Sequence, residues 1–298
     1  MIESVRWGVM GCAQIAINRV IPAMPDANVT TLKAVASRSL EKAQRVAAQF
    51  DVPKAYGSYE DVLNDPEIDA AEAREVQAVR DETGLYCLEA FAYRFNPVVA
   101  RAFEIARSGV LGDLRFMHTI STFLMEKPYE PANVRLRADI GGGALYDMGC
   151  YAINAQRMIA DREPLTAWSA MTWSERFDVD MSGTANLDFG DDLRGTIQWG
   201  FNAPYGGPFS VIGEEGRLTG TYGWGPPAGE PAMILTVGGE TEEIFVEHAN
   251  DYTGEVEDLS EGIRGIEEPA YADEPLDANM RVIDACYLSN RTGEAEPV

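Results

Sequence analysis

Basic residues, histidine and long apolar runs are all scarce in this sequence. No stretch reaches the roughly 18 consecutive apolar residues of a membrane span, and the N-terminus runs Met-Ile-Glu-Ser into a strand-like segment without a basic region and an apolar core. The chain therefore reads as cytoplasmic, with no membrane partner. Only 24 Lys and Arg stand against 48 Asp and Glu, a net charge of −24, and the acids are spread along the chain. That balance excludes a general binder of phosphate backbones, so no nucleic-acid partner is expected. An acidic surface favours solubility, as in a saline cell, and says nothing about fold. The four cysteines, Cys12, Cys87, Cys150 and Cys286, are far apart and lack metal-ligand spacing, so no metal is expected and they read as small buried thiols. What remains is an ordinary soluble composition, 298 residues at 46% apolar, enough for about two domains at roughly 150 residues each.

The first half alternates. An apolar run from Val5 to Gly11 ends in glycine, and helical spacing continues from Gln14 to about Ile21 before Pro22 and Pro25. A second apolar run, Leu32 to Ala36, precedes Ser39, a plausible N-cap for a helix reaching Phe50. This predicts a βαβ unit. Lys54 to Tyr56 fits a third strand and Ser58 to Asn64 a helix, after which alternation predicts a strand beyond Ile68. Instead Ala71 to Arg80 is rich in Ala and Glu and reads as helix, and a strand-like run, Leu85 to Phe91, comes later. Helix would follow helix where a parallel sheet needs strand, crossover and strand.

Beyond Asn96-Pro97 the texture changes. After a helix to Ser108, strands are predicted at Leu114–Met125, Thr166–Trp173, Gly183–Phe189, Leu193–Phe201, Phe209–Ile212, Arg217–Tyr222, Ala232–Val237 and Glu243–Glu247. Helices are predicted near Leu145–Ile159, Thr253–Arg264 and Asp277–Arg291. The expected fold is α/β plus α+β: a truncated Rossmann-type parallel sheet over 1–96, then an open-faced, mostly antiparallel sheet domain over 97–298.

The turn after the first strand, Gly11-Cys12-Ala13-Gln14-Ile15-Ala16, follows a G-x-G-x-x-G/A pattern with Ala13 in place of the middle glycine. Between a strand and a helix such a turn lets the backbone approach a pyrophosphate and aims helix N–H groups at it, which marks Gly11, Ala13, Gln14 and Ile15 as cofactor-binding candidates. The plainer reading is a βα turn that simply favours glycine. At the end of the second strand an NAD site usually carries an acid for the ribose 2′-hydroxyl; here stand Ala36-Ser37-Arg38. Ser37 and Arg38 suit a 2′-phosphate, since guanidinium is a fixed fork for phosphate oxygens, so NADP is expected over NAD. The alternative for Arg38 is a solvated surface charge.

Several segments carry a family likeness: Trp7 to Ala13, Leu88 to Pro97, Asn133-Val134-Arg135-Leu136, Asn279 to Ala285 and, most specifically, Gly141-Gly142-Gly143-Ala144-Leu145-Tyr146-Asp147-Met148-Gly149-Cys150-Tyr151. In these the chain resembles the glucose-fructose oxidoreductase / inositol dehydrogenase / MocA (Gfo/Idh/MocA) family, especially its sugar and dihydrodiol dehydrogenase branch. The resemblance implies hydride transfer between a nicotinamide and a sugar or cyclic polyol, and a homodimer or higher homo-oligomer. It implies Tyr151 and Asp147 as catalytic candidates, with Tyr151 moving the hydroxyl proton and Asp147 orienting the substrate, and Arg135 and Asn154 as substrate-side candidates. Plainer readings are a helix-associated acid for Asp147 and a core ring for Tyr151.

One departure accompanies the match. The family carries, between the segments matching Asp69 and Ala71, a strand, a crossover helix and a strand ending in Glu-Lys-Pro, whose lysine is its usual catalytic cation. A loss of about one βαβ unit, on the order of 30 or more residues, accounts for helix following helix. Glu126-Lys127-Pro128 repeats the letters after a second-domain strand, where Lys127 reads as a loop cation. His118 and His248 match no family catalytic position. Two functions stay open: an NADP-dependent oxidoreductase acting on a sugar or polyol, or a non-catalytic relative that lacks the lysine segment.

Overall fold

The computed structural model describes residues 4–12, 16–58, 61–62, 65, 67–68, 70–71, 86, 89–127, 129–220, 227, 229–247 and 249–298. The longer helices among them are α1 (Leu40–Gln49), α2 (Pro97–Arg107), α3 (Cys150–Ala160), α4 (Asp251–Ile263) and α5 (Ala278–Thr292). The chain divides into two compact units, Met1–Asn96 with Ala249–Leu276, and Pro97–His248 with Asp277–Val298. Residues 249–276, expected with the second domain, group with the first.

The first unit is built on four strands, β1 (Val5–Met10), β2 (Thr30–Ala36), β3 (Lys54–Tyr56) and β4 (Ala70–Ala71), in the order β3-β2-β1-β4 and all parallel. Period-two alternation gives the sheet two apolar faces. Val5, Trp7, Val9 and Val35 pack with Ala43, Val46 and Ala47 of α1 and with Val256 of α4, whereas Ala34 and Ala36 pack with Val62 on the other side. Helix α1 starts where Ser39 predicts: its hydroxyl accepts from the Lys42 N–H at 3.3 Å. A polar tie fastens α4 to the sheet, because the Trp7 indole donates to Ser260 Oγ at 3.0 Å and Ser260 donates to the Val256 carbonyl at 2.6 Å.

Three expectations change here. A strand does follow Ile68: Ala70 and Ala71 pair in parallel with Trp7 and Gly8, so Ala71 does not begin a helix, while residues 72–85 lie outside those described. The strand expected over Leu85–Phe91 is not formed at Tyr86, Glu89, Ala90 or Phe91. The reason lies just beyond it, where the chain closes into a 3₁₀ turn over Ala92–Phe95 so that Arg94 can be buried, its guanidinium between the rings of Phe91 and Tyr271, 5.5 and 4.1 Å from their centroids, and ion-paired with Glu274. Third, the helical run after the glycine turn continues through Pro22 to Asp26, because Pro22 sits in the first turn of its segment, where its missing N–H costs nothing.

The second unit holds a ten-stranded, mostly antiparallel sheet of β5 (Leu114–Leu124), β6 (Thr166–Ser174), β7 (Val179–Asp188), β8 (Arg194–Gly200), β9 (Asn202–Gly206), β10 (Phe209–Gly213), β11 (Gly216–Gly220), β12 (Met233–Val237), β13 (Glu240–Ile244) and β14 (Glu296–Pro297). The order is β13-β12-β11-β10-β5-β8-β7-β6-β14, with β9 also on β5, and the β5/β8 pair is parallel. Every strand predicted here is present, although β7 starts four residues early and β13 lies three residues upstream. Strands β9 and β14 carry no alternating pattern and were not expected. One face is covered by helices, with Thr119 of β5 donating to the Ala152 carbonyl of α3 at 3.1 Å and Ser169 of β6 donating to the Cys286 carbonyl of α5 at 2.6 Å.

Candidate active site

The first unit supplies the carboxyl ends of β1 and β2. At the first, Gly11 adopts φ +124°, a conformation that favours glycine, and its N–H donates to the Ala36 carbonyl at 2.9 Å. The turn therefore leaves β1 tied to the end of β2. Ala13, Gln14 and Ile15 lie outside the described residues. At the end of β2, Ser37 is buried, its N–H donates to the Tyr56 carbonyl at 3.1 Å, and its hydroxyl accepts from the Ser39 N–H at 3.3 Å. Ser37 thus shapes the loop, whereas Arg38 is exposed and, among the described residues, makes no ion pair. Burial pushes the Cys12 thiol up and the charge of Lys42 pulls it partly back, which puts a second cation within electrostatic reach of the glycine turn. Nothing in the sequence singles out Lys42, whose helix position is that of an ordinary solvated face. A glycine turn with positive φ, a helix N-terminus capped by Ser39 and two nearby cations fit a dinucleotide that carries an extra phosphate.

The second unit supplies the other candidates. Arg135 sits on a 3₁₀ turn, Val134–Leu136, capped by Asn133, whose side-chain oxygen accepts from the Arg135 N–H at 3.1 Å. Asp147 sits in a π-helical turn, Leu145–Gly149, that leads directly into α3. Arg135 Nε donates to Asp147 Oδ2 at 2.7 Å, and the guanidinium carbon lies 5.4 Å from the centroid of Phe123. The two side chains are 41% and 26% exposed, so this pair contributes at most about 1 kcal/mol to folding. A charged pair held in half-solvated space with so little stabilising effect is available to a ligand. Tyr151 is half-buried one turn beyond Asp147. Asn154, expected on the substrate side, is fully buried. His118 is on β5 beside Gln198, 3.3 Å from its side-chain oxygen, and Lys127 is an exposed loop cation 5.7 Å from the Tyr129 ring. His248 lies outside the described residues.

Comparison with known proteins fits both halves. Residues 5–74 match the model of an oxidoreductase family with an NAD-binding Rossmann fold, and residues 99–219 match the GFO/IDH/MocA C-terminal domain. A D-xylose 1-dehydrogenase (NADP(+)) of Haloferax volcanii is 30% identical, covering 97% of this chain and 98% of its own. That alignment runs over 326 positions against 298 residues here, so at least 28 positions of the relative (326 less 298) face no residue of this chain. An aldose-aldose oxidoreductase from Caulobacter crescentus, solved with glycerol, shares the fold at TM-score 0.86 and 19% identity, covering 99% of this chain and 100% of its own. A 3-ketoreductase from Actinomadura kijaniata, solved with NADP and TDP-benzene, gives 0.84 and 22%, covering 96% and 98%.

Proposed function

The chain belongs to the Gfo/Idh/MocA oxidoreductase family, and from that premise we propose that it is an NADP-dependent oxidoreductase acting on a sugar or cyclic polyol. The observation that carries this reading is the Arg135–Asp147 pair, held at 2.7 Å in half-solvated space on the turn that leads to Tyr151. The nicotinamide, when bound, supplies or takes the hydride at the carbon bearing the substrate oxygen. This chain's own residues handle the rest. Asp147 accepts a hydrogen bond from a substrate hydroxyl and fixes the sugar's orientation, and Arg135 keeps that carboxylate aimed. The Tyr151 hydroxyl exchanges the proton with the reacting oxygen. In the first unit Arg38 and the capped start of α1 take the 2′-phosphate, and Gly11 lets the backbone approach the pyrophosphate. In this reading the protein works in the cytoplasm as a homodimer or higher homo-oligomer, as the family resemblance implies.

A second reading, a non-catalytic relative, is favoured by the positions that the xylose dehydrogenase has and this chain lacks. Titration with NADPH, followed by its fluorescence, together with turnover over aldoses that include D-xylose, separates the two. The enzyme reading expects NADPH to bind, Arg38→Ala to weaken it by roughly tenfold while leaving NADH unchanged, and a sugar to be turned over. No binding at millimolar NADPH overturns that reading, and binding without turnover selects the non-catalytic one.

A further inference from the structure

Asp180, the second residue of β7, is fully buried and lies outside the hydride chemistry. Its Oδ2 accepts from the Leu145 backbone N–H and from the Trp199 indole, both at 2.8 Å, and its Oδ1 accepts from the Tyr287 hydroxyl at 2.7 Å. Burial raises its pKa against those three donors. A buried charge is a poor way to gain stability, since a well-packed apolar residue commonly does as well, so its place calls for another reason.

The donors supply one. Leu145 opens the π-helical turn that carries Asp147 two residues later. The glycines of the same segment fit closely against this support. A Cβ on Gly143, whose φ is +131°, would stand 2.3 Å from Asp180 Oδ1. One on Gly149 would stand 2.5 Å from Leu145 Cδ1 and 3.2 Å from the Trp199 ring, and one on Gly142 would meet the Arg137 backbone at 2.7 Å. Gly143 N–H also donates to the Arg135 carbonyl at 2.9 Å. The turn is therefore held from below by Asp180 and Trp199 and from the side by the backbone of the Arg135 segment.

We propose that Asp180 is a positioning residue for the substrate side: by accepting from Leu145 N–H it fixes the turn that sets Asp147 against Arg135. The inference rests on the substrate-side reading of that pair. It is the acceptor geometry that acts, not the charge. Asparagine at 180 can place its oxygen where Oδ2 now accepts two hydrogen bonds and its amide nitrogen where it donates to the Tyr287 oxygen. Alanine removes every acceptor and leaves three donors unmet.

The test compares wild type, Asp180→Asn and Asp180→Ala by amide hydrogen exchange in the free protein and by calorimetric titration of D-xylose at saturating NADPH. The expected result for Asp180→Ala is at least tenfold faster exchange over Leu145–Tyr151 with β7 and β8 protected as before, at least tenfold weaker xylose binding, and NADPH affinity within twofold. Asp180→Asn is expected within threefold of wild type on every reading. Should the alanine variant not fold, Asp180→Leu, which fills the volume without acceptors, takes its place. Unchanged exchange over Leu145–Tyr151, a loss shared equally by β7 and β8, or an asparagine variant that behaves like alanine overturns the proposal. Wild-type protein that takes no xylose with NADPH bound counts against the proposed function, and the exchange comparison still decides the role of Asp180.

Discussion

The two units are stabilised by different means. The first rests on four parallel strands, of which β3 has three residues and β4 two, and it draws α4 and the Glu274 segment from more than 150 residues downstream. The second closes a ten-stranded sheet from its own neighbouring hairpins and lays α3 and α5 on one face. Where the sheet is short, buried polar ties such as Trp7–Ser260 and Arg94–Glu274 hold the parts together. Where the sheet is long, buried polar ties also join the parts, through Arg157 with Glu163 and Asn279 and through Thr119 and Ser169 with helix carbonyls, and Asp180 adds one beneath the turn that carries Asp147. Polar burial in the first unit therefore serves assembly, and in the second it serves both assembly and, at Asp180, the site.

That contrast can be broken most strongly at Glu274. Arg94 is fully buried and Glu274 10% exposed, so Glu274→Ala leaves an uncompensated charge inside the first unit and is expected to cost about 3–5 kcal/mol. Denaturant-dependent amide exchange on peptides of each unit checks this: protection should fall in β1, β2 and α4 and hold in β5 to β8. An equal fall in both units would mean that they unfold together and that the contrast is empty. Gly143→Ala is the matching change in the second unit. Positive φ and the approach to Asp180 Oδ1 together are expected to cost roughly 2–3 kcal/mol, read as a lower urea midpoint of the second unit.

These residues also show what the sequence could and could not disclose. Local periodicity gave β1, β2 and α1, because each side chain there reports its own face, and the long second-unit strands were legible for the same reason. The glycine turn and the Gly141–Tyr151 segment pointed to the site by their order alone. Asp180 did not. Its partners stand 35, 19 and 107 residues away, and each taken singly is an ordinary core residue. Arg94 hides in the same way, since a buried arginine depends on Glu274, 180 positions on. The burial of Asn154 is equally silent in the sequence, because a motif gives spacing along a helix and not which side of that helix is covered.

Acid acts with opposite signs on Asp65 of the first unit and Asp180 of the second. Asp65, bonded to Lys54 at 2.7 Å and to the Tyr56 hydroxyl at 2.6 Å, is held down to about 2, chiefly by the Lys54 bond. Its folded pKa lies below the unfolded value of about 3.9, so its contribution is present above that pH and is lost as pH falls towards 2. Asp180 is raised by burial, so the fold prefers its protonated form, and its contribution grows as pH falls through the raised value towards 4. Between pH 7 and 4 the second unit is expected to gain stability through Asp180 and the first through Asp258, which burial also raises; below pH 3 the first is expected to lose the contribution of Asp65. Asp65→Asn should flatten the first unit's acid limb and Asp180→Asn the second unit's rise, measured as urea midpoints against pH.

The smallest expected effect is that of salt, and it tests the same contrast through charge. Nine acids and one arginine lie between Ala249 and Leu276, so the segment that completes the first unit also brings a dense negative charge to it. Like charges crowded on a small unit oppose its compact state, and screening relieves them within a Debye length of about 8 Å at physiological ionic strength, shrinking to about 3 Å at 1 M. Raising KCl from 0.1 to 1 M, about a threefold change in that length, is therefore expected to stabilise the first unit by up to about 1 kcal/mol and the second by less. Substituting lysine for exposed acids of that segment, Glu267→Lys with Glu268→Lys, should reduce the difference, because the repulsion would be lower before salt is added. If both units respond alike, the charge acts through the whole chain and not through the segment that the shorter sheet has taken in.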